Sequence, residues 1–129
     1  MKPDAEYLKK LLAAFREAPN PTTDIDELKE KGLPHDDPKF EFHMMLLHDD
    51  GYLESESMEG GIGISNSAPW SAIPLRLTAS GHQFAEGMEN NQALQTMKKY
   101  FLGASISTMR DVAVAFIKTE VAKHTGQML

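Results

Sequence analysis

Three observations predict an α+β fold. Apolar residues recur at helical spacing before Gly51, a short alternating pattern at residues 73–77 reads as strand, and further helical repeats follow Thr78. The 129 residues suffice for one compact domain, which buries roughly two thirds of the surface its unfolded chain would expose. The expected organisation is one domain over residues 1–129, with a core in residues 1–89 and a C-terminal helical extension in residues 90–129.

The first helix is set by Leu8, Leu11, Leu12 and Phe15, at i, i+3, i+4 and i+7, while Lys9, Lys10, Arg16 and Glu17 point elsewhere. It is expected to end near Ala18, because Pro19 and Pro21 push their predecessors out of the helical region and lack an N–H. Thr22 or Thr23 is expected to cap a short second helix carrying Ile25 and Leu28, closed by Gly32 as a left-handed C-cap. A third helix runs from about residue 38 to residue 49, with Pro38 tolerated at its first position. Its apolar face reads Phe40, His43, Met44 and Leu47, and beside it lies a second set, Phe42, Met45 and Leu46. A helix apolar around more than half its circumference is either deeply buried or keeps a face for a partner.

Gly51 ends that helix, and Tyr52 and Leu53 open a strand. Ile73, Leu75 and Leu77 alternate with Pro74, Arg76 and Thr78, the period-2 pattern of a half-buried strand. Pro74 cannot donate to a ladder, so a free edge is expected there. Residues 59–70, rich in Gly, Ser and Pro, read as a long, mobile hairpin loop ending in Trp70. Thr78 is expected to cap a fourth helix reaching about Met88, and the Asn90-Asn91 pair to break the chain before a fifth with Leu94, Met97 and Phe101 inward. Gly103 leads to Ser107 as the expected cap of a last helix, with Val112, Ala113, Phe116 and Ile117 inward and Gly126 beyond its end. Val114 and Val121, on the side away from Phe116, point to a homodimer through this C-terminal helix.

Helix, short helix, helix, strand, long loop, strand, helix is the order of a winged helix-turn-helix with additional C-terminal helices, in which the third helix is the recognition element. Within it, Phe40-x-x-His43-Met44-x-x-Leu47-x-x-x-Gly51-Tyr52-Leu53 looks like the helix-into-strand signature of many winged-helix domains. The segment Arg76-Leu77-Thr78-Ala79-Ser80-Gly81-His82-Gln83-Phe84 and the opening Met1-Lys2-Pro3-Asp4, with Tyr7-Leu8 and Leu11-Leu12, are more distinctive. Together they resemble a family of small bacterial and prophage-encoded winged-helix proteins, a domain of unknown function. That family has Met-Lys-Arg-Asp at its start, a Tyr-His-Leu-x-x-Leu-x-x-x-Gly-Leu helix end, an Arg-Leu-Thr-x-x-Gly-His-x-Phe turn and a Trp-x-x-x-Lys element. The resemblance covers residues 1–18 and 40–102, and departs at Pro3, where the family has Arg, and at Leu94, where its Trp falls before Lys98. It implies a fold and a bacterial or prophage setting rather than a reaction.

The chain has no cysteine, which excludes disulfides, thiolate metal sites and a cysteine nucleophile, and suits a cytoplasmic location. Asp4, Glu6, Lys2, Lys9 and Lys10 at the start are unlike a signal peptide, and the uncharged run at residues 60–75 is too short and too broken to span a bilayer, so no membrane is expected. His82 has only Thr78 and Ser80 near it in the turn, and His43 sits among inward residues, so both read as structural rather than catalytic. The tripeptides His35-Asp36-Asp37 and His48-Asp49-Asp50 offer nitrogen and oxygen donors without the i, i+4 spacing of a helical metal site, and read as acidic caps and loops. Gly60-Gly61-Ile62-Gly63-Ile64-Ser65 lacks the lysine and strand-to-helix context of a phosphate loop. No enzyme, metal or cofactor is expected.

The expectation is a regulatory binding module, and charge decides between its partners. The net charge is −6, distributed as 7 Lys/Arg against 15 Asp/Glu in residues 1–60 and 6 against 4 in residues 61–129. A recognition helix normally presents cations and amides to the groove, whereas residues 38–50 hold Lys39 alone against Glu41, Asp49 and Asp50. Arg76, Lys98 and Lys99 are the candidate phosphate contacts, and Phe42, Met45, Leu46 and Trp70 the candidate apolar contacts. Fold order points to a DNA-binding transcriptional regulator, and the apolar, acid-rimmed third helix to a protein-interaction adaptor or antirepressor, so DNA and a protein stand level as expected partners.

Overall fold

The computed structural model describes residues 1–56, 61–63 and 71–125. It is α+β, with six helices and an antiparallel two-stranded sheet in the expected order: α1 (Ala5–Arg16), α2 (Ile25–Glu30), α3 (Pro38–Asp49), β1 (Leu53–Ser55), β2 (Leu75–Leu77), α4 (Ala79–Met88), α5 (Asn91–Tyr100) and α6 (Ile106–Thr125).

Local chemistry sets most of these ends. Asp4 starts α1 by accepting the Tyr7 N–H at 3.1 Å, and Asp37 starts α3 by accepting the Lys39 N–H at 3.0 Å. Pro38 follows Asp37 directly, at the position where a missing N–H costs nothing. Gly32 and Gly51 take the left-handed conformation, at φ 84° and 77°, just past α2 and α3. Two caps differ from expectation. Asp24, not Thr22 or Thr23, caps α2 by accepting the Asp26 and Glu27 N–H groups. Ser105, not Ser107, caps α6, its hydroxyl accepting the Thr108 N–H at 3.2 Å.

Thr23 is unavailable as a cap because it belongs to the sheet. Leu53, Glu54 and Ser55 of β1 pair with Leu77, Arg76 and Leu75 of β2, and on the other side Leu75 exchanges two 2.8 Å hydrogen bonds with Thr23. The expected free edge at Pro74 is therefore misplaced. The Pro74 carbonyl accepts the Glu56 N–H on the β1 side at 3.1 Å, and the opposite edge of β2 is covered by Thr23 at Leu75. The hairpin loop at residues 59–70, Trp70 included, lies almost wholly outside the described residues, as does Gly126.

One hydrophobic cluster joins every helix. Leu8, Leu11 and Leu12 of α1, Phe40, Met44 and Leu47 of α3 and Phe84 and Met88 of α4 meet Leu94 and Met97 of α5 and Ile106, Met109 and Ala113 of α6. Each fully buried side chain of this size contributes about 1.5–3 kcal/mol, so this cluster is the main source of stability. The C-terminal helices are thus packed into the same core as the rest. Gly87 lets α4 cross α6 closely, since a Cβ there would lie 2.5 Å from that of Ala113. Of the residues expected inward on α6, Ala113 is buried, Val112 and Phe116 pack partly on the core and Ile117 is half-buried; Phe101 is also only half-buried. No helix among the described residues is long and apolar enough to cross a membrane.

Candidate interaction surface

α3 divides into a core side and an outer side. Phe40, His43, Met44 and Leu47 are buried. On the outer side Met45 is 45 % exposed, and Phe42 and Leu46 are half-buried, Leu46 resting on the core. Glu41 and Asp49 lie one turn to either side of Met45 and are exposed, with no cation paired to them among the described residues. Asp50 accepts a 3.5 Å hydrogen bond from Ser107. The outer side is an apolar patch with an acidic rim.

His43 ties the inner side of α3 to the start of α1. It is 1 % exposed, its Nδ1–H donates to the Lys39 carbonyl at 2.7 Å, and its Nε2 accepts the Asp4 N–H at 2.9 Å. That pair of partners fixes a neutral ring, and burial pulls its pKa below the ordinary 6.5. Tyr7 lies tilted on the imidazole at 4.7 Å between centroids, and burial, with Asp37 nearby, pushes the Tyr7 phenol up to about 12. Partial burial would raise the Asp4 carboxyl, but hydrogen bonds from Lys39 and the Tyr7 N–H outweigh it and hold the group below 3.8.

Three of the four candidate cations are paired with a carboxylate. Lys39 Nζ sits 3.0 Å from Asp4 Oδ2, Arg76 pairs with Glu54 across the β1–β2 ladder, and Lys98 Nζ sits 2.7 Å from Glu6 Oε1. Lys99 has no carboxylate partner among the described residues and lies 5.2 Å from the centroid of its neighbour Tyr100. Exposed pairs of this kind stabilise by at most about 1 kcal/mol, so their main effect is to cancel field. Lys39 and Lys98 converge on the α1 N-terminus, whereas Arg76 stands apart on the sheet and Trp70 lies outside the described residues.

Sequence reasoning missed a second exposed apolar group. Tyr100 is 68 % and Leu102 87 % exposed at the turn from α5 to α6. The run Tyr100-Phe101-Leu102 beyond two lysines carried the signal, because one helix end can bury only one of three consecutive apolar side chains. No three His, Asp or Glu residues gather to hold a metal ion among the described residues. The two His-Asp-Asp tripeptides flank opposite ends of α3, about 18 Å of helix apart, and cannot join in one site. His82 is exposed in the first turn of α4. No family model, no curated protein and no solved structure matches the chain.

Proposed function

We propose that the chain is a non-enzymatic regulatory module of winged-helix form whose third helix binds a protein partner. The observation that carries this reading is the outer side of α3, where Met45, Phe42 and Leu46 are framed by Glu41 and Asp49, acids with no ion-pair partner among the described residues. A DNA groove would repel that rim, whereas an apolar centre with a polar border is the ordinary anatomy of a protein interface. The second reading, a DNA-binding transcriptional regulator, is favoured by the element order and by Lys99, the candidate cation without a carboxylate partner. The ion pairs on Lys39, Arg76 and Lys98 weigh against it.

Two measurements separate the readings. In an anisotropy titration against random duplex at about 50 mM salt, the protein-binding reading expects no binding even at about 100 µM chain, the weak end of the usual nonspecific range of about 1–100 µM. A photo-crosslinking residue in place of Met45 is expected to capture a protein in cells, and the capture to be lost when Phe42→Asp is added. Duplex binding that disappears with Arg76→Glu and Lys98→Glu would reverse the choice.

A further inference from the structure

The molecule carries a second apolar surface with charge opposite to that of the α3 face. At the α5–α6 turn Tyr100 and Leu102 stand exposed beside Lys98 and Lys99. Lys2 lies against the same turn, for a Cβ on Gly103 would meet its side chain at 3.0 Å. Lys2 and Lys99 have no carboxylate partner among the described residues, while Lys98 shares Glu6. Among the described residues, one chain thus holds an apolar spot rimmed by acids without an ion-pair partner, Glu41 and Asp49, and another rimmed by lysines without one, Lys2 and Lys99. Single exposed apolar residues are ordinary, but two such spots with opposite rims are complementary to each other.

We infer that a second copy of this chain occupies the α3 face, its Tyr100 and Leu102 covering Met45 and its lysines facing Glu41 and Asp49. The contact is heterologous, each copy giving one surface and receiving the other. It rests on the reading of α3 as a protein-binding face and names the partner. The surfaces are small, which places the association in the weak class, and charges at an exposed rim make it sensitive to salt.

Sedimentation equilibrium of the full chain tests this, from about 10 µM to about 1 mM and at about 50 and 500 mM salt. The average mass is expected to rise with concentration at low salt, with an association constant about tenfold weaker at high salt. Met45→Asp and Leu102→Asp should each remain monomeric, and their equimolar mixture should return to dimer, because one retains the basic corner and the other the acidic face. Val121→Asp, on the exposed part of α6, should associate like the wild type. If an aspartate variant loses its helical circular dichroism, Lys99→Glu replaces it: association should weaken several-fold and recover when Glu41→Lys is added. A wild type that stays monomeric, a mixture that does not complement, or loss in Val121→Asp would overturn the assignment. A monomeric wild type that still gives the position-45 cross-link to another protein sinks this inference alone; losing both sinks the α3 reading as well.

Discussion

His43 shows what one residue does when both of its ring nitrogens are committed. Protonation would turn Nε2 from acceptor into donor and set it against the Asp4 N–H, so the fold selects the neutral ring. Its folded pKa lies below the ordinary 6.5. Between that lowered value and 6.5 the unfolded chain binds a proton that the folded chain does not, and stability falls as pH falls through this window. The contribution is complete above about 6.5. Urea denaturation at a series of pH values is expected to show this decline, and His43→Gln to flatten it above the range where carboxylates titrate. A His43 imidazole that titrates at or above 6.5 in the folded protein by NMR would contradict the assignment. Asp4 adds to the same junction with the same sign at lower pH, since its depressed carboxyl contributes stability that is lost only as pH drops through its folded value.

Helix junctions carry the next layer. Thr78 caps α4 by accepting the Gly81 N–H at 3.1 Å and donates its hydroxyl to the Gly51 carbonyl at 2.7 Å, so one side chain fastens the start of α4 to the end of α3. Thr78→Val should cost about 1–2 kcal/mol, read as a shift in urea midpoint at constant slope. Gly87→Ala is the stronger test of packing. Alanine favours a helix over glycine by about 1 kcal/mol, yet the new Cβ would meet the Ala113 carbonyl at 2.6 Å. Overpacking of that kind costs about 1–3 kcal/mol, so net destabilisation is expected, only partly relieved by Ala113→Gly. A more stable Gly87→Ala protein would refute the close crossing. Elements of this kind were legible where they obey a local rule: Pro38, Gly51, Thr78 and Asn90 mark helix ends, and the 3.6-residue spacing separates the inner from the outer side of α3. The α2 cap was not, because Thr23 and Asp24 are both good caps and only the distant Leu75 decides between them. The start of α6 was not legible either: the spacing suggests Ser107, and the helix begins two residues earlier, with the Ser105 hydroxyl on the Thr108 N–H.

Over the whole molecule the decisive feature is the pairing of charge, and no local pattern announces it. Lys39 meets Asp4, Lys98 meets Glu6 and Arg76 meets Glu54 across separations that only the folded chain closes. A sequence count gives the net charge of −6 but not which cations remain available to a polyanion. If pairing is what denies the chain to DNA, removing the acids without touching the cations should create affinity. Asp4→Asn, Glu6→Gln and Glu54→Gln together free Lys39, Lys98 and Arg76, and Asn keeps an oxygen to cap α1. Three freed cations predict duplex binding whose log–log dependence on salt has a slope of at most about −3. The wild type, titrated alongside at about 50 mM salt, should not bind at the same chain concentration. Equal failure of both proteins would show that the acidic rim of α3 alone suffices to exclude DNA. Equal binding by both would mean that a phosphate displaces these carboxylates without cost, and the DNA-binding reading would then take precedence over the protein interface.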